Sequence, residues 1–330
     1  MDCLDKIDFV ISWVDSADPE WQQKKQAYSG KKIVNSSNGD ERFRDYGTLR
    51  YLLRSIEKYA NWVNHIYLIT DHQRPSWLSA SNPRLTVIDH QEIMPATALP
   101  TFNSNAIDFC LDRIPGLSEQ FVYFNDDFLI NKDVAPTDFF KNGLPRDYRI
   151  YSRLIPNSDF DFLLFNNILC INQWLKGRRQ SFGGMLSRSY GLRGNIKNLL
   201  QIVRNGARVS NYVLYHNAYS FTKSEYRAAR EMWQQKITQT VNHRFRTRDD
   251  VTIYLLRYFR LEKGTFAPRS PKFDAYYTLN QTHALINELA HSKHHLVCIN
   301  DADTTDYTQK KTELVRALDE KFEQHSDFER

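Results

Sequence analysis

Apolar runs that end in acidic or amide residues recur along this 330-residue chain. The first, Ile7 to Asp15 (IDFVISWVD), is rich in β-branched and aromatic residues and predicts a buried strand with a polar tip. Val63 to Thr70 (VNHIYLIT) and Arg84 to Asp89 (RLTVID) predict two more strands. Phe121 to Phe124 predicts a fourth, which runs into Asn125-Asp126-Asp127, and His295 to Asp301 (HLVCIND) predicts another near the end. Thr48 to Ala60 (TLRYLLRSIEKYA) carries its leucines and Ile56 at helical spacing, and Asn103 to Arg113 reads as a further helix. The polar stretch Gln22 to Asp40, with Ser-Ser-Asn-Gly at 36–39, predicts a mobile loop over a site.

Strands alternating with helices predict an α/β fold built on a mostly parallel, doubly wound sheet. Ligands of such sheets bind beyond the carboxyl ends of the strands, where Asp15, Asp71, Asp89 and Asp126/Asp127 stand. From about Asp133 the pattern becomes helical. Gly194 to Asn205, Ser224 to Val241 and Val251 to Leu261 predict helices, and Thr312 to Phe322 begins a charged C-terminal one. No repeat, low-complexity tract or Pro-rich linker interrupts the chain, so this helical part is expected to pack on the sheet.

Composition narrows the classes. Hydrophobic residues at 41% and charged residues at 25% fit an ordinary folded protein. Aromatics at 13% suit both a large core and a sugar-binding surface. A net charge of +5 suits an anionic substrate or a negatively charged membrane face, but is too weak to argue for nucleic acid. Cys3, Cys110, Cys170 and Cys298 lie far apart without CxxC spacing, which predicts free buried thiols in a reducing compartment. The start of the chain does not read as a signal peptide, and no apolar stretch reaches the ~18–20 residues of a membrane span. The expected location is cytoplasmic, free or docked on the inner face of the cytoplasmic membrane.

Several groups can carry chemistry. Adjacent carboxylates at a strand end, Asp126 and Asp127, can hold Mg²⁺ or Mn²⁺; turn and cap roles are the alternative. Asn300-Asp301 repeats that design, so the two pairs could share one metal. Arg42, Arg44, Arg50 and Arg54 form a basic cluster that suits phosphate oxygens or a solvated helix face. His216 follows an apolar segment and is either a general base or a structural histidine. Arg244, Arg246 and Arg248 form a basic stripe before Asp249-Asp250, from which an arginine could stabilise a transferring phosphoryl group. The chain has no GxxxxGK[ST], GxGxxG, GxSxG or HExxH motif.

Taken in order, these pieces resemble the four conserved regions of the Stealth family, which includes bacterial capsule polymerases and the enzyme that tags lysosomal glycoproteins with GlcNAc-1-phosphate. The first region is similar to Ile7–Trp21, the second to 42–131 (including RFRDYGTLRYLLRSIEKYANWVNHIYLITD, LPTFNSNAI and QFVYFNDDFLIN), the third to 215–264 and the fourth to 298–302. The resemblance implies a Rossmann-like or GT-A-like mostly parallel sheet with helices on both faces and a packed helical C-terminal portion. It implies a nucleotide-sugar-binding core at 1–132 and 290–303, a mainly helical acceptor region at 133–289, and a C-terminal helix at 304–330. The implied activity is transfer of hexose- or N-acetylhexosamine-1-phosphate from a UDP-sugar to a glycan hydroxyl, with release of UMP. His216, Arg246 and Asp15 are the catalytic candidates by motif match. Arg42, Arg44 and Asn103 are donor-binding candidates, and Asp126, Asp127, Asn300 and Asp301 are ligands for Mg²⁺ or Mn²⁺. The implied partners are a UDP-sugar and an oligo- or polysaccharide acceptor, free or lipid-linked, with no nucleic acid and with peripheral membrane association. Two rivals stay open: a metal-dependent GT-A-like glycosyltransferase releasing UDP, and a non-catalytic glycan-binding protein.

Overall fold

The structure, a computed structural model, describes residues 6–29, 47–214, 216–300, 304 and 306–330. Its central sheet has five strands: β1 (Ile7–Ser12), β2 (Ile66–Thr70), β3 (Leu85–Asp89), β4 (Gln120–Asn125) and a later strand, Tyr219–Thr222. Their order is β3-β2-β1-β4 followed by that later strand at the edge. The first four are parallel; the last pairs antiparallel with β4, Tyr123 opposite Tyr219. Short strands β5 (Phe128–Ile130), β6 (Phe140–Lys141) and β7 (Leu144–Asp147) precede that edge strand, which is therefore β8. After it come β9 (Ala267–Pro268), β10 (Asp274–Thr278) and β11 (Leu296–Asn300). β10, β11 and β5 form a second sheet, in which β11 runs antiparallel to β5.

Alternation along the central strands explains why helices lie on both faces. Val10, Tyr67, Ile69, Phe121 and Tyr123 enter one buried cluster. Their neighbours Phe9, Ile11, Ile66, Leu68, Val122 and Phe124 enter the other. Side chains of successive strand residues point to opposite faces, so a strand apolar at every position needs cover on both. The polar exception in β1 is Asp8, fully buried and held by the Asn64 amide and the Ser118 N–H at 2.6 and 2.7 Å.

Eleven helices are described among these residues. α1 (Pro19–Ser29) corrects the expected loop over 22–29, and the rest of that stretch, 30–40, lies outside the described residues. Trp21 is the reason: it is buried and packs edge-on against Phe102 at 5.5 Å. α2 (Thr48–Tyr59) covers the second cluster with Leu49, Leu52, Leu53 and Ile56. α3 (His90–Ile93), α4 (Ser104–Asp108) and α5 (Pro136–Phe139) are short. The expected helix over 103–113 is thus two pieces, α4 and a 3₁₀ turn at Leu111–Arg113. α6 (Phe160–Leu175), α7 (Gly191–Asn205), α8 (Lys223–Asn242) and α9 (Tyr254–Lys263) lie on the side of the first cluster. α10 (Thr282–His291) and α11 (Tyr307–Lys321) pack on the second.

Residues 133–289 therefore do more than add helices, because β8 completes the central sheet and β10 the second one. A fully buried charge cluster holds this region together. Asp147 on β7 meets Arg257 at 2.9 Å and Arg260 at 2.7 Å, both from α9. Arg149 meets Glu262 at 2.8 Å, and the Tyr151 and Tyr212 hydroxyls donate to the same carboxylate. Arg54 of α2, from the basic cluster, is not offered to a ligand. It is buried against Glu329 with two contacts of 2.7 Å and so pins the chain's last residues.

Candidate active site

Three chain directions converge at one end of the central sheet. β4 ends at Asn125, so Asp126 and Asp127 form the turn into β5. β8 is antiparallel to β4, which places its approach, including His216, beside the end of β4. β11 runs antiparallel to β5, and Ile299 donates its N–H to the Asp127 carbonyl at 2.8 Å, which carries Asn300 to the same place. The result is a cleft of about 550 Å³ that Asp126, Asp127, His216, Arg246 and Asn300 all line. That volume is of the size that holds a nucleotide sugar or similar ligand.

His216 Nε2 lies 3.6 Å from Asp127 Oδ2 and 3.2 Å from the Asn125 amide nitrogen, and its ring sits 5.0 Å from Phe128. The Asn125 amide donates to Nε2 when the ring proton sits on Nδ1, and Nε2–H faces the Asp127 carboxylate in the other tautomer. Asn217 follows; its side chain is buried and donates to Asp274 of β10, anchoring the segment. Burial pushes the Asp274 carboxyl up to about 6, against the pull of Arg269.

Asp127 is the centre of the acidic group. Its Oδ1 is buried without a hydrogen-bond partner, while Oδ2 accepts from the Cys298 thiol at 3.5 Å. Burial, with the Asp127 charge beside it, holds Cys298 well above the usual thiol range, so it is a neutral donor. Asp127, His216 and Cys298 present ligand atoms within 4.8 Å of one another. That trio mixes oxygen, nitrogen and sulfur; a hard divalent cation instead fits the orphaned Asp127 oxygen together with the oxygens of Asp126 and Asn300, which line the same cleft.

Arg246 is placed by another motif. Its guanidinium donates to the Ser104 hydroxyl at the start of α4. Phe245 stacks on Phe102 at 5.0 Å, and the Phe102 N–H donates to the Arg244 carbonyl at 2.7 Å. Arg244 lies over the Tyr28 ring and Arg248 pairs with Asp159, so of the basic stripe only Arg246 lines the cleft.

Other candidates from the sequence fall elsewhere. Asn103 does not line the cleft. It is fully buried, caps α4 through the Asn105 N–H and donates to Asp250 and to the His243 carbonyl. It thus positions Ser104 and Arg246 and has no face left for a donor nucleotide. Asp15 also lies outside the cleft: its carboxylate caps the Ala17 N–H at 2.8 Å, and its backbone is clasped by the Gln73 amide. Asp71 pairs with Lys24 at 2.7 Å, and Asp89 caps α3. Arg42, Arg44 and Asp301 lie outside the described residues.

One group has no counterpart among the sequence candidates. Asp108, at the end of α4, lines the cleft and accepts a 2.7 Å hydrogen bond from Tyr123. Burial pushes its carboxyl up to about 7; the Tyr123 bond and the charges of Arg246 and His216 pull it partly back. Asn105 also lines the cleft, and its amide nitrogen is buried without a partner. A lone aspartate in a helix resembles any surface carboxylate, and only the fold shows that this one is buried.

Strand-end carboxylates, a histidine and an arginine around one cleft in a doubly wound α/β fold are groups suited to phosphoryl transfer. Family comparison agrees: Stealth protein conserved region 1 matches residues 5–33 and conserved region 2 matches 42–147. An exopolysaccharide phosphotransferase, cps2G of Lactiplantibacillus plantarum, is 40% identical over 98% of this chain and 96% of its own length. The capsular polysaccharide phosphotransferase WcwK of Streptococcus pneumoniae is 34% identical over 99% of both. The receptor polysaccharide phosphotransferase WefC of Streptococcus oralis is 35% identical over 99% of this chain and 100% of its own. The chain belongs to the Stealth family and is a phosphotransferase. The galactosyltransferase LgtC superposes on 95% of both chains with a TM-score of 0.42 and 9% identity. No helix among the described residues is long and apolar enough to cross a membrane.

Proposed function

We propose that this enzyme transfers a hexose- or N-acetylhexosamine-1-phosphate unit from a UDP-sugar to a hydroxyl of a glycan acceptor. The observation that carries the reading is the convergence of Asp126, Asp127, His216, Arg246 and Asn300, from distant parts of the chain, on one cleft. The acceptor oxygen bonds to the phosphorus that bears the sugar, the bridging P–O bond of the diphosphate breaks, and UMP leaves. The sugar–phosphate bond stays intact.

His216 Nε2 accepts the proton of the attacking hydroxyl, which takes the place of the Asn125 amide at its lone pair, while Phe128 packs on the ring. Arg246, braced by Ser104, faces the transferring phosphoryl oxygens with its planar fork of donors. Asn105 offers its unpartnered amide to the donor or acceptor. Asp108 accepts from Tyr123 and feels the charges of both Arg246 and His216. Mg²⁺ or Mn²⁺, held by Asp126 and Asp127 with Asn300 alongside, would neutralise diphosphate charge. Cys298 stays out of that ligand set as a protonated donor to Asp127.

The deciding experiment supplies purified protein with a panel of nucleotide sugars, Mg²⁺ or Mn²⁺ and an oligosaccharide acceptor. UMP release and a phosphodiester in the product support the reading. UDP release with no phosphorus in the product means glycosyl transfer and overturns it.

A further inference from the structure

Helix α7 is built inside out. Its inward face consists of Gly194, Asn198 and Gln201. Asn198 bonds the backbone of Arg149, Tyr151 and Met185, and Gln201 bonds the Arg208 carbonyl. Gly194 allows the close approach: a Cβ there would come within 2.8 Å of Tyr190 and 3.0 Å of Ile150. The outward face carries Leu192, Ile196, Leu199 and Val203, with Leu192 and Val203 exposed to 78% and 82%. These four recur at i, i+4, i+7 and i+11 and so form one stripe along the helix. A surface helix of a globular protein normally turns its apolar stripe inward. The loop leading into α7 adds two more exposed apolar side chains, Phe182 and Leu186.

A second pattern runs beside the stripe. Arg193, Lys197 and Arg204 are exposed and share a face roughly 100° around the helix from the leucines. From Phe162 to Ser224 the chain carries nine Lys or Arg and no Asp or Glu, whereas the whole chain has a net charge of only +5. Like charge on both copies opposes self-association through this face. Aliphatic side chains do not suit a glycan, which is bound by aromatic faces and hydrogen bonds. An apolar ridge edged with cations matches the boundary between acyl chains and anionic headgroups.

We propose that α7 and the loop before it form a membrane-docking face that seats this enzyme on a bilayer rich in anionic lipid. The leucine stripe enters the headgroup region, and Arg193, Lys197 and Arg204 contact lipid phosphates. None of these side chains lines the catalytic cleft, so docking and chemistry are separable.

The test is co-sedimentation of the full chain with vesicles of phosphatidylglycerol or of phosphatidylcholine alone, at low and high salt. Binding to the anionic vesicles, weakened by salt, is expected. Replacing Arg193, Lys197 and Arg204 together with Gln should weaken that binding on the order of a hundredfold. Leu192→Ser with Val203→Ser should also weaken it, by removing inserted surface. Both variants should keep the wild-type melting temperature and turnover on a short soluble acceptor. Equal binding to the two lipids, or anionic binding that neither variant changes, overturns the proposal. So does a dimer in solution that both variants dissociate, without vesicle binding, because the face would then be a self-interface.

Discussion

Nε2 of His216 stands 3.6 Å from Oδ2 of Asp127, and the two reach each other only because β8 runs antiparallel to β4. A base beside a carboxylate can receive a proton without leaving an isolated cation in the cleft. His216→Ala should lower kcat by about 10²–10⁴-fold while donor binding stays near wild type. Single-turnover rates together with donor titration check this. An unchanged rate would mean that another group takes the proton.

Asp127 is predicted to trade stability for function. Its Oδ1 is buried without a partner, so Asp127→Asn should leave the melting temperature unchanged or raise it. Turnover should fall by at least about a hundredfold, with the response to added Mg²⁺ or Mn²⁺ weakened. Calorimetry and a metal titration of activity read the two effects separately. Wild-type turnover with normal metal dependence would falsify the metal assignment.

Asp108 should make stability depend on pH in an unusual direction. Burial raises its folded carboxyl to about 7, well above the usual aspartate range near 3.8. Between those values the unfolded chain has released the proton while the folded chain still holds it, so stability falls as pH rises through that window. The effect is on the order of a few kcal/mol, and Asp108→Asn should remove it. Melting temperatures of both proteins from pH 4 to 8 should converge at the acid end. The variant should be the more stable at the alkaline end.

Arg246→Lys should lower kcat more than it changes KM, since a point charge cannot reproduce the planar fork at a phosphoryl group. Ser104→Ala, which removes the brace but not the charge, should cost less. Asn103→Ala should resemble Ser104→Ala in turnover and also lower the melting temperature, because a cap and the Asp250 bond are lost together.

Asp147→Ala leaves Arg257 buried without its counter-charge and Arg260 with only Glu225 at 3.4 Å. It should destabilise by about 3–5 kcal/mol, measured by denaturant unfolding, and the loss should exceed that of any cleft substitution.

Much of this was legible in the chain. β1 to β4, β11 and most of α2 and α8 follow from periodicity, because each buries a face whose spacing the sequence displays. The Asp126-Asp127 turn, His216, Arg246 and Asn300 do lie together, and motif order pointed to all four. What was hidden depends on contacts between distant segments. Trp21 makes α1 a helix through Phe102, yet the stretch around it is polar and reads as loop. Asn103 looks like a ligand residue until Asp250 and His243 take up its amide. Asp108 gains its character only from burial, and β8 is too short and polar to stand out. Arg54 belongs to a basic cluster in the chain, but in space it belongs to Glu329.

The cleft takes its walls from residues as far apart as Ser104 and Asn300. During synthesis the central sheet can begin to assemble around β1, β2 and β4 well before β11 emerges. Asp126 and Asp127 would then face water with no opposite wall, because Asn300 and the Ile299 bond to Asp127 arrive last. A nascent chain that stops short of β11 consequently carries the acidic turn without the wall that closes the cleft beside it. Fragments cut before Leu296 should likewise lack both Asn300 and the Ile299 bond to Asp127, so the cleft closes only once β11 has joined β5.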